Sequence, residues 1–165
     1  RLYATLRRYR PEVKLGESLP MELLEGSTVG QLIARLGIPA EDVVIDPICM
    51  PVGADSTLGR VALDTVRLVR DELGVNISLG AGNVGFGMPE RPALTASLIQ
   101  LGMPLGLTAS IANPLEPEIS RAVLSADLML GKDKFGMRWL AYCRKQAAVT
   151  QAEVPPAAPA VKSVP

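Results

Sequence analysis

Histidine is absent from this chain, and that absence removes more chemistry than any other feature. Without imidazole there is no Ser-His-Asp or Cys-His nucleophilic system, and the commonest metal ligand is missing. Cysteine is scarce as well. Cys49 and Cys143 lie far apart with no close-spaced partner, so neither a zinc nor an iron–sulfur site is expected. They read as two reduced, inert thiols rather than a disulfide. Aromatic residues make up only 4% of the chain, so the core must be aliphatic and rich in small residues. Neither sign of charge dominates, 17 basic residues balancing 17 acidic ones. No overall field therefore draws nucleic acid or an anionic membrane surface. No apolar run is long enough to span a bilayer, and no charged-apolar-small signal pattern opens the sequence. A cytoplasmic setting is expected, with neither nucleic acid nor membrane as a partner. Chemistry, where there is any, must run on carboxylate, amide, Arg or Lys groups.

What is present falls into three segments of different style within 165 residues, room for one ordinary domain and a small second one. In residues 1–43, Leu2 to Tyr9 alternates as a strand with basic ends, and Met21-Glu22-Leu23-Leu24-Glu25 alternates as a second strand closed by Gly26-Ser27. Thr28 to Leu36 predicts a short amphipathic helix: Ser27 or Thr28 caps it, and Val29, Leu32, Ile33 and Leu36 fall at helical spacing. Gly37 stops it. Arg7, Arg8 and Arg10 read as a solvated strand end.

Residues 44–146 repeat a strand-then-helix rhythm. Val43-Val44-Ile45 is an apolar run ending at Asp46. A helix capped by Asp55 or Ser56 follows, with Leu58, Val61, Ala62, Thr65 and Val69 on one side and Arg60, Asp64, Arg67 and Asp71 on the other, and Gly74 ends it. Val75 to Leu79 predicts the next strand, and Pro92 suits the first turn of the next helix. Leu107 to Ala112 predicts a third strand ending at Asn113-Pro114, Pro117 opens a helix through Leu130, and Lys132 to Gln146 adds a last one. Phe135, Trp139 and Tyr142 on it are expected to pack. This alternation predicts an α/β fold with a parallel sheet. Three strands are clear, whereas a complete (β/α)₈ barrel needs roughly 250 residues. Residues 147–165, rich in Ala, Pro and Val without a period, read as a disordered tail.

The richest stretch is Leu79-Gly80-Ala81-Gly82-Asn83-Val84-Gly85-Phe86-Gly87-Met88-Pro89-Glu90-Arg91. Its Gly80-x-Gly82-x-x-Gly85 spacing formally matches a dinucleotide fingerprint. That fingerprint needs a helix beginning inside the motif and an acidic residue about 20 positions on. Here Phe86-Gly87-Met88-Pro89 intervenes, and no Asp or Glu occurs between Glu90 and Glu116, so nucleotide binding is not favoured. Two readings stay open. The glycines can simply permit a tight turn at a strand end, or they can expose Asn83 to a flat heterocyclic ligand. Asp46 before Pro47 can likewise stop a strand in an Asx-type turn or present a carboxylate to a ligand. Asn113-Pro114 at the third strand end can be a plain turn or line the same face.

Two resemblances bear on the choice. Asp46-Pro47-Ile48, Asn83-Val84-Gly85-Phe86-Gly87 and the following Arg91 resemble the second half of the pterin-binding methyltransferases. Those enzymes transfer the N5 methyl of methyltetrahydrofolate to a corrinoid protein. The likeness covers about residues 44–146 and implies a partial TIM barrel of the pterin-binding type. It implies that Asp46 binds the 2-amino-pyrimidinone edge of the pterin, where a carboxylate can accept two parallel N–H bonds. It implies that Asn83 acts catalytically near N5, where a donor stabilises the transition state more than the ground state. Arg91 would contact the folate or help hold the loop, and Asn113, from its place at the third strand end, would join the pterin site. Tetrahydrofolate or methyltetrahydrofolate would be the substrate, and cobalamin would be carried by the partner corrinoid protein, so no metal is expected in this chain. The family's serines flanking the Asn-Val pair are Gly82 and Gly85 here. The first half of its barrel has no counterpart.

The second resemblance is carried by Arg1-Leu2-Tyr3-Ala4-Thr5-Leu6-Arg7 and Gly26-Ser27-Thr28-Val29-Gly30-Gln31-Leu32. They are similar to the opening of the β-grasp sulfur carriers of the ThiS/MoaD type, so residues 1–43 read as a truncated β-grasp ββα segment. Sulfur carriage is rejected as the activity, because no Gly-Gly pair occurs in the chain. Alternatives to the methyltransferase reading are a dihydropteroate synthase-like pterin enzyme and a non-catalytic interaction module, with association into a homo-oligomer left open.

Overall fold

A computed structural model describes residues 11, 12, 14 and 22–153. The expected strand at Leu2–Tyr9, the basic cluster Arg7, Arg8 and Arg10, and the tail beyond position 153 lie outside the described residues. Five helices and a three-stranded sheet form the described fold: α1 (Val29–Leu36), β1 (Val44–Ile45), α2 (Leu58–Leu73), β2 (Asn76–Leu79), α3 (Arg91–Gly102), β3 (Ala109–Ser110), α4 (Pro117–Met129) and α5 (Met137–Glu153). All pairing is parallel in the order β1-β2-β3, with Ile45 opposite Ile77 and Leu79 opposite Ser110. The fold is thus mixed α/β, with helices between successive parallel strands.

The helix punctuation follows from local chemistry. Thr28 accepts from the Gln31 backbone while Gln31 Oε1 accepts from the Thr28 N–H, a reciprocal capping box. Gly37 ends α1 and Gly74 ends α2 in the left-handed conformation, where a Cβ would be strained. At the start of α2 the expectation fails. Asp55 accepts from both the backbone and hydroxyl of Thr57, and the helix begins only at Leu58. Glu22–Leu24 form no strand, and Glu25–Gly26 turn instead.

The core lies on one face of the sheet. Ile77 and Leu79 are fully buried against Val66 and Val69 of α2, Leu98 and Ile99 of α3, and Ile119 and Ala122 of α4. The buried stripe of α2 is Ala62, Val66 and Val69, whereas Val61, expected inside, is exposed. By strand alternation Val44 and Asn76 occupy the opposite face, and Val44 is 60% exposed. A parallel sheet is ordinarily covered on both faces. This one is covered on the side of α2, α3 and α4.

The end of the chain departs most from expectation. Phe135 adopts a left-handed conformation (φ 57°) within the short turn Lys134–Gly136, so the final helix starts at Met137. Phe135 is 84% exposed and does not pack in the core, while Trp139 stacks on Tyr142 at 6.0 Å. The helix runs past position 146 to Glu153, because Ala147, Ala148 and Ala152 are strong helix formers. Buried Asp133 covers its first turn, accepting from the Arg138 and Trp139 N–H groups at 3.0 and 2.9 Å. The Trp139 bond above all, then the Arg138 bond and charge, hold this carboxyl below the ordinary aspartate range, with burial pulling the other way.

A depressed folded pKa means that Asp133 stabilises the fold fully above its unfolded value of about 3.9, and that this contribution fades as pH falls through the lower folded value. Asp133→Asn should therefore lower Tm by a constant amount above about pH 5, with the gap closing as pH falls below the unfolded aspartate value and through the lower folded one. Thermal melts of both proteins across that range check this. A gap unchanged at the acid end would mean that the ionised carboxylate contributes nothing beyond its amide isostere.

Candidate functional site

The candidate residues sit where three adjacent strands end. Asp46 directly follows β1, Asn83 closes a single turn (Ala81–Asn83) after β2, and Asn113 follows β3. Since the strands are parallel neighbours, all three residues leave the same end of the sheet.

Their surroundings differ. Asp46 is exposed, and its Oδ1 accepts from the Ile48 N–H at 2.9 Å. That Asx turn carries Ile48 into positive φ (58°), a costly conformation for a β-branched residue. Oδ2 is the carboxylate oxygen not engaged in this turn. Beneath the loop, burial and secondarily the Asp46 charge push the Cys49 thiol above its ordinary range. Cys49 therefore stays protonated at neutral pH, as an inert thiol should.

Asn83 is exposed on the glycine loop. Its Nδ2 lies 3.2 Å from where a Cβ on Gly80 would stand, so Gly80 lets the amide lie close over the main chain. The loop is tied by Asn83 N–H to the Gly80 carbonyl, Phe86 N–H to the Asn83 carbonyl, and Val52 N–H to the Val84 carbonyl of the neighbouring unit. Arg91 opens α3 and folds back: its Nε donates to the Gly82 carbonyl at 2.9 Å, and its guanidinium lies 5.6 Å from the Phe86 ring centre. Gly85 is buried beneath it. A Cβ there would stand 3.1 Å from Arg91 Cα and 3.2 Å from its carbonyl oxygen, so bare backbone is what permits the close approach.

Asn113 uses both ends of its amide locally, accepting from the Leu115 N–H and donating to Glu116 Oε1. Arg91 and Asn113 share a cavity of about 330 Å³, lined also by Gly82, Thr95, Glu116 and Ile119. Asp46 and Asn83 do not line it. Glu116 and Thr95 were not singled out from sequence. The i, i+3 spacing of Asn113 and Glu116 and the i, i+4 spacing of Arg91 and Thr95 were the available signals, and Thr95 Oγ1 indeed donates to the Arg91 carbonyl. Among the described residues no cluster of Cys, Asp and Glu could hold a metal ion, and no helix is long and apolar enough to cross a membrane.

Over 116 residues the chain is 26% identical to the methylcorrinoid:tetrahydrofolate methyltransferase of Eubacterium limosum. The likeness is to a methyltransferase. It takes in 68% of this chain but only 40% of that protein's length, so it is distant and partial. No protein-family model matches the chain.

Proposed function

We propose that this chain is the pterin-binding portion of a methyltransferase-like protein acting between a folate and a corrinoid carried by a partner protein. The observation that carries the reading is the placement of Asp46, Asn83 and Asn113 at the same end of three adjacent parallel strands. Ligands of (β/α) proteins bind at that end. In this reading the sheet is part of a pterin-binding barrel, Asp46 Oδ2 receives the amino-pyrimidinone edge, and Asn83 stands near N5. Arg91 holds the glycine loop in place through the Gly82 carbonyl.

The name of the Eubacterium limosum relative has the methyl group moving from corrinoid to tetrahydrofolate, the reverse of the direction expected from sequence. One site serves both directions, because a group that stabilises the shared transition state lowers the barrier either way. No nucleophile of this chain is required in this reading, because a corrinoid on the partner protein would supply the group that gives or takes the methyl.

One wall of three strands leaves a bound pterin partly wet, so affinity for methyltetrahydrofolate should be weak and methyl transfer by this chain alone undetectable. Isothermal titration with methyltetrahydrofolate tests the assignment. Asp46→Ala should weaken binding at least tenfold, about 1.4 kcal/mol or more, by leaving pterin donors unpaired. Asn83→Ala should leave binding within about threefold, because its contact belongs to the transition state. Binding unaffected by Asp46→Ala would show that this carboxylate serves only its Asx turn.

A further inference from the structure

A left-handed backbone is disfavoured for any residue with a Cβ, and most of all for a β-branched one, yet Ile48 holds φ at 58°. Strain of this kind persists only where the surrounding structure imposes it. Here it is imposed from both sides. Before the residue, Asp46 Oδ1 accepts from the Ile48 N–H at 2.9 Å. After it, Cys49 is only 3% exposed and belongs to the same buried cluster as Leu79, Ala81 and Val84. Each residue has only two soft torsions, so the φ of Ile48 sets the direction in which the chain leaves it. Turning that angle to an ordinary negative value swings everything from Cys49 onward and pulls the thiol from its seat.

The next residues carry this effect to the glycine loop. The Val52 N–H donates to the Val84 carbonyl at 2.9 Å, and Val84 directly follows Asn83. Val52 also bears on the first turn of α2, where a Cβ on Gly59 would stand 3.3 Å from Val52 Cγ1. A Cβ on Gly53 would stand 3.0 Å from Met88 Sδ and 3.6 Å from the Phe86 carbonyl oxygen. Loop 46–53 thus lies closely along the glycine loop, with Asp46 at its start and its tie to the Asn83 turn near its end.

We propose that Ile48 is a positioning residue. Latched in its left-handed turn by the Asp46 carboxylate, it sets the loop that steadies the Asn83 turn through Val52. Asp46 and Asn83 are then coupled rather than independent. A ligand that draws Oδ1 off the Ile48 N–H loosens the Asn83 turn, whereas one that takes Oδ2 leaves it set.

Hydrogen exchange on the full chain reads the latch without any ligand, so the result is separate from the pterin reading. Asp46→Ala should quicken exchange at the Val52 and Phe86 amides at least about fivefold and leave α4 unchanged. Ile48→Pro bars positive φ with the carboxylate intact and should do the same. Asp46→Asn keeps an oxygen for the Ile48 N–H and should stay within about twofold of wild type. Asp46→Ala combined with Ile48→Asn should also return to within about twofold, because asparagine enters the left-handed region readily. Circular dichroism checks that each variant is folded. Unchanged exchange in Asp46→Ala or in Ile48→Pro overturns the latch. Fast exchange that the added Ile48→Asn fails to slow overturns the role of Ile48, and a change confined to positions 48–50 overturns the tie to Asn83. Asp46→Asn also tells the two readings apart: it cannot accept both pterin N–H bonds, so lost methyltetrahydrofolate binding with wild-type exchange supports both, whereas full binding sinks the pterin assignment alone.

Discussion

Replacing Ile77 with alanine is expected to cost about 3–4 kcal/mol of folding stability, toward the upper part of the range for a large-to-small core change. Ile77 is fully buried on the central strand and belongs to the cluster that joins α2, α3 and α4. Its main chain is fixed too: the N–H donates to Thr108 Oγ1, and the carbonyl accepts from both the Thr108 N–H and hydroxyl. A strand pinned at that point cannot slide to fill the space left by the lost methyl and ethyl carbons. The cavity therefore stays open, and its cost adds to the lost transfer energy. A domain of this size holds only about 5–15 kcal/mol in total, so the variant should lose a quarter or more of its stability. Urea titration should show a lowered midpoint at unchanged slope. A midpoint shift worth under about 1 kcal/mol would mean that the sheet relaxes around position 77 and is not the rigid centre of the fold.

Legibility from sequence tracks how local the causes are. Both ends of α1 and the C-terminal end of α2 were readable because Thr28, Gly37 and Gly74 act within one turn of themselves. The strand order needed only the alternation of elements. The strand lengths did not follow, since β1 and β3 keep just two paired residues each, and how far pairing runs depends on the neighbouring strand. Nor could periodicity describe α3, which buries Thr95, Ala96, Leu98, Ile99 and Gly102. Packed between α2 and α4 and behind the sheet, it is covered over too wide an arc to show one stripe. Phe135 failed for a related reason. Aromatic residues are ordinarily inside, but here the left-handed turn that frees Asp133 to cover α5 swings the ring outward.

In the candidate site, residue types and strand ends were readable while the side-chain engagements were not. Asp46 before Pro47 left a turn and a ligand contact open, and the turn is made, Oδ1 accepting from the Ile48 N–H. Holding the loop was one of the two readings open for Arg91, but its partner, the Gly82 carbonyl, had no signal in the sequence, because the contact depends on how the loop folds back over the start of α3. The glycines were harder still. Sequence shows glycine where the methyltransferases it resembles carry serine, but not whether serine could stand there.

Serine at the two positions should separate them sharply. A Cβ on Gly82 would lie 3.7 Å from Arg91 Nη2, an ordinary contact with a side chain that can move. Gly82→Ser should therefore change stability by less than about 0.5 kcal/mol, as surface substitutions usually do. A Cβ on Gly85 would meet Arg91 Cγ at 2.8 Å, Cα at 3.1 Å and the carbonyl oxygen at 3.2 Å. Two of those atoms are main chain at the first turn of α3, and that turn is anchored through the Thr95 hydroxyl bond to the Arg91 carbonyl. Relief requires moving either the helix start or the loop that carries Asn83. Overpacking of this kind costs about 1–3 kcal/mol, and Gly85→Ser should fall near the middle of that range. Movement of the loop should also break the Arg91 bond to the Gly82 carbonyl, so amide exchange should quicken from Ala81 to Phe86 and not in α2. Denaturant titration and hydrogen exchange on the two variants make the comparison. Equal, small effects at both positions would show that the glycine loop yields freely, and that its close seat on Arg91 does not hold Asn83 in place.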